Sequence, residues 1–370
     1  DEDAYAATLE RAHIGYRDAG QARPAIRCAF WLGLHHALRD EMALASGWLG
    51  RAERWLEAEG ASCVEQGYLL LPRVIQAQAG GDWAAATEAA DGAMRIGRQF
   101  GDRDLVALAL HAKGLAQIRA GHLDEGLRLL DEAMIAVVAD ELTPMVTGIV
   151  YCSAIEGCRD ALILRRAAEW TAALATWCDG QPELVAFNGE CRLHRAYILR
   201  QAGAWNEALS EAERARKRFA RAKKPRLKAH AVYQQAEVLR CRGDLDAALA
   251  LYAEASREGH EPQPGLALLR LAQGDASAAA AAIRRVTGQT TRPLERARLL
   301  PSVVRIALVV GEPGAARIAS EELDAIASAH PSDLLAAHAA TARGAVRLGE
   351  CDAWAALAAL STARERWQAL

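Results

Sequence analysis

Three pairs of side chains recur in this chain with the same internal spacing: Glu156/Arg159, Tyr197/Arg200 and Glu237/Arg240, at intervals of 41 and 40 residues. Residues three apart on a helix lie side by side, so each pair forms one patch. Stacked, the three patches make a ladder of arginines with glutamate and tyrosine between them. A guanidinium is a planar fork that grips a carboxylate or phosphate through two parallel hydrogen bonds. A tyrosine adds a flat apolar face with a polar tip. Two chemistries fit this pattern. The acids and bases neutralise one another along a polar wall, or the rungs form a slot for a peptide segment or an acidic small molecule.

Other chemistry finds no support. The chain has no Gly-x-Ser-x-Gly elbow, no His-Glu-x-x-His, no phosphate-binding Gly-x4-Gly-Lys-[Ser/Thr] loop and no dinucleotide Gly-x-Gly-x-x-Gly in a strand–helix context. Acid pairs such as Asp131-Glu132 and Glu321-Glu322 suit solvated helix faces. His35 and His36 are adjacent and point about 100° apart on a helix, so they cannot chelate one metal together. Cys191-x-x-His194 is a zinc half-site without a second half, and the eight cysteines show no disulfide framework. The expectation is a protein that is not an enzyme and needs no metal or cofactor.

The elements that must position the ladder are written in a repeat. A turn of the form Gly-polar-bulky, followed by Ala five and twelve residues on, occurs as Gly81-Asp82-Trp83 with Ala86 and Ala93, and as Gly203-Ala204-Trp205 with Ala208 and Ala215. It returns as Gly243-Asp244-Leu245 with Ala248 and Ala255, and as Gly121-His122-Leu123 with Gly126 and Ala133. Turns are expected at Asp40, Gly81, Gly121, near Leu162, and at Gly203, Gly243, Gly274, Gly311 and Gly349. The Gly ends the first helix of each pair in a left-handed cap, and the following Asp caps the second. The small residues five and twelve on share one helix face and let the partner helix approach closely. Seven residues before most turns the first helix is also small, as at Gly33, Gly114, Ala196, Ala236, Ala267 and Ala342.

Composition agrees. Ala, Leu, Arg and Glu dominate, β-branched residues rarely alternate, and helix is favoured almost everywhere. A period near 40 marks a stack of helix pairs. At 370 residues one compact core would be strained, so either two domains or a quasi-one-dimensional stack is expected. The fold expected is all-α, a right-handed superhelix of antiparallel helix pairs, with about eight or nine repeats of roughly 40 residues across 1–370. The break Glu258-Gly-His-Glu-Pro-Gln-Pro-Gly265 precedes the one short interval, 31 residues, and sets a soft boundary or change of pitch at 258–265. A net charge of −3 gives no electrostatic case for binding nucleic acid, and no apolar run is long enough to span a bilayer. With no secretory signal, the cytoplasm is the expected compartment.

The small residue in the first helix and the two alanines in the second resemble the tetratricopeptide repeat (TPR), although each copy is degenerate. Several segments also resemble the repeat region of large actinobacterial transcriptional regulators of the LuxR type. Among them are Arg27–Gly33, Gly47–Ala52, Tyr151-Cys152-Ser153, Glu169-Trp170-Thr171 and Glu261–Ala272. The first resemblance implies that first helices line a concave groove. It puts His111, Arg119, Cys152, Glu156, Arg159, Asp160, Glu190, Tyr197, Arg200 and Gln201 on the groove wall, with His230, Tyr233, Glu237, Arg240, Arg298 and Arg305. The Lys and Asn set with which chaperone-binding relatives hold C-terminal carboxylates is absent from these positions. The second resemblance implies a sensory array that answers to an effector or a protein. Its ATPase and DNA-reading modules are not found in these residues. Expected partners are a protein or peptide segment, a small effector, or a second copy of the chain as a homodimer. The alternative is a stand-alone adaptor with no DNA-binding module.

Overall fold

The computed structural model describes residues 2–39, 41–180 and 185–370. The turn expected at Asp40 and the residues Gln181-Pro182 lie outside them. The described residues form helices and connections without a strand, and helices adjacent in sequence pack against each other. This is a TPR-like, all-α array of helix pairs. None of the described helices is long and apolar enough to cross a membrane.

The turns work as their residue types require. Gly81, Gly121, Gly203, Gly243, Gly274 and Gly311 are all left-handed, with φ between 74° and 97°. Asp82 and Asp275 follow them as caps, each accepting an amide hydrogen bond at 3.0 Å, from Ala85 and Ala278. The small residues expected on the two helices are two sides of one contact. A β-carbon on Gly126 would lie 2.6 Å from the Gly114 carbonyl oxygen. Leu162 also turns left-handed, at φ 60°. It does so without glycine because Ser332 Oγ donates to its carbonyl at 2.6 Å and its side chain is buried.

The last turn needs correcting. It lies at Cys351 (φ 63°), not at Gly349, which is still helical. Asp352 then caps the final helix through Ala355 at 3.1 Å. In the corrected register Ala356 and Ala363 stand five and twelve residues on, and both are buried. Gly344 stands seven before, where a β-carbon would meet Leu360 at 2.6 Å.

By packing, the chain divides into two compact units. Unit 1 comprises Asp1–Gly157, Trp170–Cys191 and Lys217–Pro225. Its core gathers Phe30, Tyr68, Leu105, Met134, Val146, Ile155 and Leu174, with Trp170 and Trp177 partly buried against it. Burying each large apolar side chain favours the fold by about 2 kcal/mol. Cys178 and Cys191 belong to this core as small apolar groups.

Unit 2 comprises Cys158–Glu169, Arg192–Arg216 and Arg226–Leu370. Its cores follow one another along the helix pairs: Ala236, Ala248, Tyr252 and Leu269, then Ala267, Ala279, Ile283, Leu299 and Ile306. The break at 258–265 falls within this unit. One core departs from a stack in which repeats meet only their neighbours, because Leu162 packs with Leu300, Val304, Leu323 and Leu335. Alongside, Arg298 Nη2 donates to the carbonyl of Arg159 at 2.6 Å, across 139 residues of sequence. Spacing alone could not foretell this return contact, since it joins side chains with no shared repeat position.

Candidate functional site

Eleven of the sixteen wall residues named from the sequence belong to unit 2, and seven of these build the site: Arg159, Tyr197, Arg200, His230, Tyr233, Glu237 and Arg240. The helices Pro144–Asp160, Val185–Gln201 and Pro225–Arg242 carry them at matching distances from left-handed residues Leu162, Gly203 and Gly243. Their side chains form one connected run. The Arg159 guanidinium lies over the Tyr197 ring, 4.1 Å from its centroid, and Arg200 lies 5.5 Å from the same ring. Arg200 Nη1 then stands 3.6 Å from Glu237 Oε2, and Arg240 Nη2 donates to that oxygen at 3.1 Å. Within this run the ladder read from the spacing is present, with arginines and their tyrosine and glutamate partners alternating.

Glu237 is the anchor. It is buried, and two guanidiniums share its one carboxylate. The Tyr252 hydroxyl donates to it as well, in a very short contact. Burial alone would raise the Glu237 carboxyl, but Arg200 and Arg240 outweigh it and hold the group below the usual carboxylate range. Burial lowers Arg240, but the Glu237 carboxylate more than reverses this and keeps the guanidinium charged. Gly265 roofs the pair closely, since a β-carbon there would stand 2.8 Å from Tyr252 Cζ and overlap Glu237 Oε1. The sequence break at 258–265 thus brings backbone onto the polar cluster.

Around this anchor stands a neutral aromatic group. His230 stacks on His260 with centroids 5.3 Å apart, and Tyr233 packs 4.7 Å from His260 and 5.8 Å from Tyr252. Gln234 accepts from Arg200 Nε at 3.2 Å and lies 3.4 Å from His230 Nε2. His194 faces Arg159 Nη1 at 3.4 Å. Burial, and after it Arg159, push His194 down to about 3. Burial and nearby positive groups push His230 well below its ordinary value. These imidazoles therefore act as uncharged acceptors near neutral pH.

The other five expected wall residues, His111, Arg119, Cys152, Glu156 and Glu190, lie in unit 1. Glu156 is half-exposed and pairs with Arg119 in a short contact. Glu190 stands 3.7 Å from Lys224 and hydrogen-bonds Cys152, whose thiol is raised by burial and then by that carboxylate. His111 is pushed down to about 4 by burial, and its Nδ1 is buried without a hydrogen-bond partner among the described residues.

Sequence reasoning missed Tyr252, His260, Gln234 and the role of His194. Tyr252 had a usable signal, because a hydroxyl at a core position of the second helix must find a partner. His260 sits in an irregular break and had none. Arg298 faces Asp160 at 3.2 Å, so two wall residues named separately meet. Chemically the arrangement holds cations, aromatic faces and neutral acceptors along one wall, which suits recognition of a polar chain or an anion.

No family model matches this chain, and no curated protein matches it. Several solved structures are similar. A Rap protein complexed with competence and sporulation factor superposes with a TM-score of 0.65 at 13% identity, covering 92% of this chain and 99% of that one. NprR in complex with its cognate peptide NprX gives 0.61 at 13% identity, covering 88% and 98%. The apo form of the quorum sensor NprR from B. thuringiensis gives 0.57 at 12% identity, covering 92% and 98%. At these identities the likeness is one of fold, a TPR-like array of helix pairs.

Proposed function

We propose that the first-helix wall of unit 2 binds a peptide segment, and that this chain is the ligand-sensing scaffold of a transcriptional regulator. The observation that carries the reading is the run Arg159–Tyr197–Arg200–Glu237–Arg240 across three successive helix pairs. An extended peptide offers carbonyls, amides and side chains at regular intervals, and such a run answers them with forked donors and flat faces. The Rap and NprR structures, similar in fold, are complexes with a factor and a cognate peptide, which supports a peptide over a bulkier ligand. The protein acts by binding rather than by catalysis, in this reading.

The test is an array of random decapeptides probed with the chain and with a variant carrying Arg159→Ala, Arg200→Ala and Arg240→Ala. Binding should be lost in the variant while its helical circular dichroism persists. Unchanged binding would remove the unit 2 wall from the reading. The regulator assignment rests on the LuxR-type segments and is tested separately. The full-length gene should encode a DNA-binding module, and a gene without one favours the stand-alone adaptor.

A further inference from the structure

The rungs of the ladder can be compared with one another, because they occupy the same place in successive repeats. Six and three residues before the left-handed turn residue stand Glu156 and Arg159, Tyr197 and Arg200, then Glu237 and Arg240. In the last rung the chain supplies its own acid. The Glu237 carboxylate lies between Arg200 and Arg240, and the Tyr252 hydroxyl donates to it. In the Glu156 rung the carboxylate is held by Arg119. The middle rung has no acid at this position. Tyr197 replaces it, with Arg159 and Arg200 both over its ring.

The middle rung is also more open. Tyr197 and Arg159 are partly exposed, whereas Glu237 is buried. The Tyr197 oxygen accepts from Gln201 Nε2 at 3.3 Å, and among the described residues no acceptor takes its own proton. Arg200 spends its Nε on a neutral amide, Gln234, and shares Glu237 with the closer Arg240. The Glu237 rung shows what satisfies this geometry, namely a carboxylate between successive arginines with a phenol donating to it.

We propose that the Arg159–Tyr197–Arg200 rung takes the carboxylate of a bound peptide, which stands there as Glu237 stands in the next rung. The inference rests on the reading of the unit 2 wall as a peptide surface. The carboxylate accepts from both guanidiniums and from the Tyr197 hydroxyl, and comes from an acidic side chain or a free C-terminus. The local field favours it. Burial raises the Tyr197 phenol, yet Arg159, Arg200 and Arg298 together bring it below its ordinary value. A guest anion would raise it again.

The experiment uses the full chain and the random decapeptide array, made in free-acid and amidated forms. Bound peptides should carry Asp or Glu, or bind only as free acids, and the two forms tell the sources apart. Replacing that acid by its amide should weaken binding at least tenfold. Tyr197→Glu, which installs the acid found in the next rung, should erase the tenfold difference while leaving the thermal melt near that of the parent. Tyr197→Phe should keep most of it. On binding, alkaline absorbance titration should show the phenol of Tyr197 moving up. Peptides that bind equally as acid and amide, and lose binding when Arg200 and Arg240 are changed, would overturn the carboxylate rung and leave the peptide surface standing. An array with no bound peptide would overturn both.

Discussion

Each unit holds a buried charge cluster that combines arginine, tyrosine and carboxylate, and the two clusters are balanced in opposite ways. In unit 1, Arg27 serves two acids, Glu65 at 3.0 Å and Asp102 at 3.4 Å, and lies 3.9 Å over the ring of Tyr68. Tyr68 donates to Asp102 at 3.1 Å, and Asp102 accepts from the Leu105 amide at 2.9 Å. That acid is therefore also a helix cap. In unit 2, Glu237 serves two arginines and takes the hydroxyl of Tyr252. The materials are the same and the signs are reversed. The unit 1 cluster is tied into helix starts and has a structural use for its second acid. The unit 2 cluster carries a second cation on a wall that continues into Arg159 and Tyr197. The comparison shows that similar composition can serve as a helix cap in one region and hold two cations on one buried acid in the other.

The reversal predicts which member of each cluster matters most. Removing the shared ion leaves two like charges facing each other in a desolvated site, at a cost of about 3–5 kcal/mol. Chemical denaturation should therefore find Glu237→Gln and Arg27→Met the most destabilising changes in their clusters. Arg240→Met and Glu65→Gln each leave a one-to-one pair and should cost only about 1–2 kcal/mol. If Arg240→Met proved as costly as Glu237→Gln, the two-on-one account of unit 2 would be wrong. Gly265→Ala should match the larger losses, since its β-carbon meets Glu237 and Tyr252 together.

Acid should separate the units as well. Among the described residues, unit 2 holds four histidines lowered below their ordinary value of 6.5, His194, His230, His260 and His338, and unit 1 holds His111. Burial heads the causes in each case. Below pH 6.5 the unfolded chain takes up protons that these folded imidazoles refuse, so stability falls as pH falls. The loss for a group such as His194 runs at up to about 1.4 kcal/mol per pH unit until its folded value of about 3 is reached. Glu237 adds to the loss further down, as pH drops through the carboxylate range toward its lowered folded value. Hydrogen exchange read by mass spectrometry between pH 6.5 and 4.5 should show amides of unit 2 losing protection faster than those of unit 1. His194→Gln should flatten that difference. Equal loss in both units would count against neutral imidazoles as the cause.

Much of this was legible in the residues. The glycine ruler works because a left-handed cap restricts residue type, and the small residues work because two backbones must touch. The ruler failed at the last repeat. There Cys351 turns left-handed and the nearby Gly349 does not, so residue type alone pointed two positions early. The ladder could be read because its members share one repeat position. His260 and the contact of Ser332 with Leu162 could not, because the break and a distant repeat bring them in, and Tyr252 offered only the signal of a hydroxyl at a core position of the second helix. A period specifies what recurs, and these contacts occur once.

The smallest expected effect sharpens the same contrast at a repeat turn. Asp82 in unit 1 and Asp244 in unit 2 follow equivalent glycines, and sequence alone makes both caps. Asp82 accepts from the Ala85 amide at 3.0 Å. Asp244 makes no cap hydrogen bond and lies instead 3.4 Å from the Arg242 guanidinium, with both side chains well exposed. A lost cap costs about 1 kcal/mol, whereas an exposed ion pair contributes roughly half a kcal/mol or less. Asp82→Ala should therefore lower the denaturation midpoint measurably, and Asp244→Ala should barely move it. Equal losses would mean that Asp244 caps its helix in solution. The different treatment of one repeated residue in the two units would then disappear.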